Sequence, residues 1–244
     1  MNAVSTLGID LAKNTFSVHG VAANGVVTVR RTISRGKLTE LVARLPPCLI
    51  GMEACCGAHE WARRFGAAGH TVRLMAPKFV APDRKSGKND GNDAEAICEA
   101  VCRPNMRFVP IKSVQQQADL SVHRVRQGFG EERTATFNRV RGLIAEFGDV
   151  SPNGVEQLRR QVPQLIDRLP APVARCVHDL LEHAERLRGK VLEYEREIRS
   201  RVRDNELARR AHTRPGIGPI TASALVATVG NGHDFNNARQ FCAR

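Results

Sequence analysis

Two aspartates three residues apart, Asp90 and Asp93, lie in the run Gly87–Ala100 (G-K-N-D-G-N-D-A-E-A-I-C-E-A), where a glycine-bearing loop gives way to a helix. Asn89, Asp90 and Asn92 are N-cap types, and Ala94, Ala96 and Ala100 favour helix beyond them. Residues i and i+3 share a helix face, so both carboxylates point at one spot. Acids held that close repel unless a cation or proton lies between them, and hard divalent cations such as Mg²⁺ take oxygen ligands of this kind. The alternative is an acidic first turn placed to suit the helix dipole. Acids elsewhere in the chain separate the two readings. Asp10 closes the apolar run Val4–Asp10, and Glu53 closes Cys48–Glu53. Folding does not need an acid at a strand end, and burying one beside an apolar sheet is costly without a partner. Converging at one sheet edge, Asp10, Glu53, Asp90 and Asp93 would hold two metals roughly 3.5–4 Å apart, which clamps attacking and leaving oxygens in phosphoryl transfer.

The elements that must position these acids follow from periodicity. Val4–Asp10 reads as a buried strand; Phe16–Val21 and Val26–Ile33 are two more, joined by the hairpin signal Asn24-Gly25. Leu38–Leu45 has helical spacing and stops at Pro46-Pro47, Cys48–Glu53 is a strand, Ala58–Ala67 an amphipathic helix, and Thr71–Ala76 a strand closed by Pro77. The order β-β-β-α-β-α-β implies an α/β mixed sheet with helices on its faces. After Pro110 the character changes. Ser113–Phe147 reads as helix, with Gly128 and Gly130 as expected breaks or kinks, and Ser151–Leu169 as a shorter helical stretch. Val173–Ala211 reads as one long charged helix whose apolar spacing alternates between three and four, as in a coiled coil or a helix packed within its own subunit. Arg214-Pro-Gly-Ile-Gly-Pro then turns tightly into an apolar helix, Ile220–Val229. Gly216 and Gly218 would allow positive φ and close approach of a phosphate, with helix N–H groups beyond them. A helix-hairpin-helix element of this kind holds a nucleic-acid backbone; a packing corner is the alternative.

The 244 residues carry 37 Lys and Arg against 25 Asp and Glu, a net +12. Thirty of those bases are Arg, whose planar fork suits phosphate, and the excess is +6 on each side of residue 110. A folded protein that grips nucleic acid along its length fits better than one with a basic tail. The 7 cysteines include no C-x-x-C, and no His pair has zinc spacing, so free thiols in a reducing cytoplasm are expected. No run is apolar enough to span a bilayer, and there is no signal peptide.

Three stretches carry a resemblance: G-I-D-L-A-K (Gly8–Lys13), I-G-M-E-A (Ile50–Ala54) and K-N-D-G-N-D-A-E-A-I (Lys88–Ile97). In this order they resemble the DEDD-type insertion-sequence transposases of bacteria, and P-G-I-G-P-I-T-A (Pro215–Ala222) resembles the start of that family's C-terminal transposase domain. The resemblance covers essentially the whole chain. It implies a ribonuclease-H-like (RuvC-like) domain at 1–110, with Asp10, Glu53, Asp90 and Asp93 holding Mg²⁺ (or Mn²⁺). A helical coiled-coil region at 111–211 would pair subunits into a homo-oligomer, and the C-terminal domain would begin at 212–244. It also implies DNA recombination directed by a structured bridge RNA. The family's nucleophilic serine lies in a Ser/Gly-rich segment beyond Asn237–Phe241; the sequence stops at Arg244, and Ser223 matches nothing, so this chain is not expected to join strands. A Holliday-junction-type nuclease, or an inactive nucleic-acid-binding remnant, are the alternatives.

Lys13, Arg84, Lys85 and Lys88 flank the acids and, with Arg214, Gly216 and Gly218, are the candidate nucleic-acid contacts; solvated basic loops are their alternative. Glu60, a rival acid, suits a surface ion pair, and Trp61 with Phe65 suits the core.

Overall fold

The computed structural model describes residues 3–81, 90–151, 154–230, 232, 235, 237, 239 and 241. Two compact units divide between Val114 and Gln115.

The first unit is built on a six-stranded mixed sheet. Its strands are β1 (Val4–Leu11), β2 (Thr15–Ala22), β3 (Val27–Ser34), β4 (Leu49–Glu53), β5 (Thr71–Met75) and β6 (Phe108–Val109), in the order β3-β2-β1-β4-β5-β6. β1, β2 and β3 run antiparallel, β4 and β5 run parallel to β1, and β6 returns antiparallel to β5. The hairpin between β2 and β3 closes at Gly25, whose φ is +81°, and the Asn24 side chain accepts from the Val26 N–H at 3.2 Å. The short β6 carries too few residues for a periodic signal and went unread in the sequence.

Strand alternation divides the sheet into two faces. Leu7, Ile9, Phe16, Val18, Ile50, Met52 and Leu74 face one side. There they pack against α1 (Arg35–Ala43), through Leu38 and Val42, and α2 (Ala58–Ala67), through Trp61, Ala62 and Phe65. Trp61 and Phe65 stack at 5.4 Å within this core, as their i, i+4 spacing predicted. The opposite face takes α3 (Pro77–Val80) and α4 (Asp90–Val101), with Val80, Ala96, Ile97, Ala100 and Val101 forming their own cluster with Met75.

α4 comes unusually close to the sheet. A methyl group on Gly8 would stand 2.2 Å from the Ala94 carbonyl oxygen and 2.6 Å from the Cys98 nitrogen; one on Gly51 would meet Val101 Cβ at 2.8 Å. Gly8 and Gly51 are register partners on β1 and β4. Two adjacent side-chain-free positions therefore make the notch in which the helix lies.

The second unit is helical: α5 (Val114–Ala145), α6 (Val155–Ile166), α7 (Ala171–Asp204), α8 (Glu206–His212) and α9 (Pro219–Val229). α5 runs unbroken through Gly128 and Gly130, against the expected break or kink, because neither glycine adopts a positive φ. The long helix expected to reach Ala211 instead ends at Asp204. Asn205 takes extended geometry and its side chain accepts from the Ala208 N–H at 3.0 Å, capping α8. α7 runs antiparallel to α5 of its own chain. Asp119–Arg201 (2.8 Å), Arg126–Glu195 and Glu132–His183 (3.1 Å) pair the two helices along their length. An apolar core of Phe137, Val140, Ile144, Leu158, Val162 and Val177 lies among α5, α6 and α7.

The notch gives a direct test. Gly8→Ala should destabilise the chain by about 1–3 kcal/mol, since the obstacle is helix backbone rather than a flexible side chain. Gly128→Ala, with nothing within 4 Å of its new methyl, should stabilise it by up to about 1 kcal/mol. Thermal melts followed by circular dichroism read both; a neutral Gly8→Ala would mean that the close contact does not matter.

Candidate functional site

Asp10 follows Gly8 by two residues on β1, and Glu53 follows Gly51 by two on β4. Residues two apart on a strand share a face, so both acids point to the side on which α4 lies. The ladder between β1 and β4 is paired as far as Ile9 and Met52, and one further step sets Asp10 beside Glu53. Ala94 lies over Gly8, and Asp93 is the residue before it on α4. All three carboxylates are half-buried. The repeated pattern Gly-x-acid, G-I-D and G-M-E, was available in the sequence and marks both the notch and the strand ends it serves.

A thiol beside these acids registers their charge. The Cys55 thiol is held above its ordinary range, first by burial, then by the negative charges of Glu53 and Asp10. Two carboxylates thus act on one point just past the end of β4. Among the described residues no three His, Cys, Asp or Glu side chains are already gathered to hold a metal; the side chain of Asp90 lies outside the described residues. The donors brought to this edge are carboxylate oxygens, which fit a hard divalent cation.

The remaining expected contacts divide. Lys13 is exposed in the turn after β1. Arg84, Lys85 and Lys88 lie outside the described residues. Glu60 pairs with Arg63 (2.7 Å) and Arg64 (2.8 Å) on the outer face of α2, as its mid-helix position predicted. The six described cysteines are free thiols; burial pushes Cys48 up to about 11 and Cys98 up to about 12, which makes both inert packing groups.

In the second unit the turn from Arg214 to Gly218 joins α8 to α9. Gly216 has φ +82°, whereas Gly218 has an ordinary φ of −74° at the N-cap of α9, so only the first glycine requires the left-handed region. His212 Nδ1 donates to the Ile217 carbonyl at 2.9 Å across the turn. Arg214, Gly216 and Gly218 are all exposed there. Behind the turn, Ser223 is 7 % exposed and shares a 2.9 Å hydrogen bond with His123 Nε2 of α5. The Ser223 hydroxyl is thereby buried where α9 meets α5.

Comparison with known proteins decides the family. A DEDD transposase model of the IS110 type, described as "Transposase", matches residues 7–148, and the "Transposase IS116/IS110/IS902 family" model matches residues 208–243. The chain is 43 % identical to a probable family 20 transposase of Pseudomonas aeruginosa, over 98 % of this chain and 72 % of that one. It is 41 % identical to the transposase for insertion sequence element IS1328 of Yersinia enterocolitica, over 100 % and 73 %. It is 34 % identical to the transposase for insertion sequence element IS1111A of Coxiella burnetii, over 100 % and 68 %. The chain belongs to the IS116/IS110/IS902 family of transposases.

The DEDD domain of this transposase implies a ribonuclease-H-like fold, with which its mixed sheet and flanking helices agree, and dependence on a divalent metal. Among the described residues of the transposase, no helix is long and apolar enough to cross a membrane.

The burial of His123 against α9 makes the helical unit sensitive to acid. Burial holds the His123 pKa below its ordinary value; Asp119 opposes this more weakly, and Arg126 adds to it. The folded chain therefore takes up this proton at lower pH than the unfolded chain. The stabilisation is complete above about pH 6.5 and is lost as pH falls from there through the lowered folded value. Protection factors of α9 amides, taken relative to the intrinsic exchange rate at each pH, should fall on acidification from pH 7 to 5, and His123→Gln should flatten that fall. An identical acid response in the variant would place the sensitive group elsewhere.

Proposed function

We propose that this transposase is a cytoplasmic, Mg²⁺- or Mn²⁺-dependent DNA recombinase of an insertion sequence, in which Asp10, Glu53, Asp90 and Asp93 form one acidic site for DNA strand cleavage and exchange. The reading rests most on one observation: two Gly-x-acid strand ends lie side by side beneath the helix that begins with the aspartate pair. A divalent cation at this edge would supply charge neutralisation and Lewis acidity at the scissile phosphate. The chain's own residues perform the rest. Asp10 and Glu53, on rigid neighbouring strands, define a fixed baseline of oxygen donors. Asp93 joins them from α4, whose distance from the sheet is set by Gly8 and Gly51. Asp90 is the fourth donor, one turn earlier in the helix.

Nucleic acid is the partner that the family and the charge support. DNA and a structured bridge RNA would be gripped by Lys13, Arg84, Lys85 and Lys88 around the acids and by Arg214, Gly216 and Gly218 at the glycine turn. We assign three functional parts: a metal-binding domain at 1–110, a helical region at 111–211 and the beginning of the transposase domain at 212–244. Subunits would associate through the outward surface of α7, since its other side is committed to α5 of the same chain. The glycine turn would work as a helix-hairpin-helix grip on a phosphate backbone.

Isothermal titration with Mn²⁺ tests the acidic site. Asp10→Asn and Asp93→Asn should each weaken binding by about tenfold or more, and both should lose Mn²⁺-dependent nicking of branched DNA. Unchanged Mn²⁺ affinity in both variants would reduce the acids to ordinary surface charge.

A further inference from the structure

The helical unit carries a groove of about 780 Å³ beside the glycine turn, within the roughly 300–1,000 Å³ range of pockets that hold organic ligands. Its floor is apolar: Leu225, Val226 and Val229 come from α9 and Leu207 from α8. These α9 side chains stay half-exposed, while the helix buries Ala222, Ser223 and Ala227 instead. One wall is aromatic, formed by Phe235 and Phe241 with ring centroids 5.2 Å apart at 73°. The mouth is basic. Arg210 and Arg214 line it, and among the described residues no carboxylate does and neither arginine has an acidic partner. That sets them apart from Arg126, Arg159, Arg188 and Arg201 of the helical unit, each of which is paired with a glutamate or aspartate.

We propose that this groove seats an unpaired nucleobase, with Arg210 and Arg214 on the phosphates to either side of it. The proposal rests on the nucleic-acid reading above and adds what is held at the turn. A base has a flat apolar face that suits the Leu225–Val229 floor and an edge-exposed phenyl ring. Its flanking phosphates supply the negative charge that the mouth lacks. A base stacked within a duplex cannot enter such a groove, so the occupant is single-stranded or turned out of its helix. His212, by bonding to the Ile217 carbonyl, keeps the turn in the shape that places Arg214 at the mouth.

Binding of the full chain to three fluorescein-labelled probes of equal length tests this: a single strand, the same strand with abasic positions at its centre, and a duplex. The base-bearing strand should bind about tenfold more tightly than the abasic one. Phe241→Leu, which keeps apolar volume but removes a ring from a residue 39 % exposed, should abolish that preference and leave duplex binding unchanged. Arg210→Ala and Arg214→Ala should weaken all three probes and lower the salt dependence. A 5-iodouracil placed at the central position should cross-link to Phe235 or Phe241. Equal affinity for base-bearing and abasic strands, or a preference that survives Phe241→Leu, overturns the groove assignment alone, as does cross-linking only at other residues. Failure to bind any probe at low salt overturns the nucleic-acid reading together with it.

Discussion

The α/β unit depends on a close approach of α4 to two glycines in the centre of the sheet, the helix backbone lying over Gly8 and the Val101 side chain over Gly51. Helices ordinarily pack on sheets through a layer of side chains; here Gly8 and Gly51 leave that layer out at two adjacent positions, and Ala94 and Val101 settle into the gap. A helix held by a side-chain layer can tilt or slide as that layer repacks. A helix resting on backbone has little such freedom, because interiors are close-packed and a single added methyl meets a carbonyl oxygen. The position of Asp93 relative to Asp10 and Glu53 is thereby a property of the sheet, and not of the loop that leads into α4.

The same notch sets the electrostatics. Acids two residues past each glycine lie on neighbouring parallel strands, where the end of the sheet opens, and their combined charge is felt at Cys55. Like charges gathered on one edge are unfavourable until something neutralises them. On α5, α6 and α7 many acids are instead paired with bases, both within a helix and between helices. In the function proposed above, a cation would offset the charge left at the strand ends, and phosphates the charge left at the mouth of the glycine turn.

Much of this was legible from residue order. Periodicity of two and the Asn24-Gly25 turn placed the first three strands, and α2 has the limits its amphipathic spacing predicts, because burial and pattern agree there. Elements whose existence depends on tertiary partners were not legible. β6 has two residues and exists only by pairing with β5. The break between α7 and α8 hinges on one capping side chain, Asn205, in a stretch whose charge pattern continues across it. Gly128 and Gly130 carry the local preference of a break, yet the pairing of α5 with α7 carries the helix through them. At the site, the acids were readable as types at strand ends. The convergence expected of them depends on the register that sets Gly8 beside Gly51, and register is decided across the sheet rather than along one strand.

The most direct test is the anomalous scattering of Mn²⁺ in crystals of the full chain. The account predicts density bound by carboxylate oxygens of Asp10, Glu53 and Asp93, at the end of the sheet where α4 enters the glycine notch. Density bound elsewhere, with these three carboxylates turned apart, would contradict it.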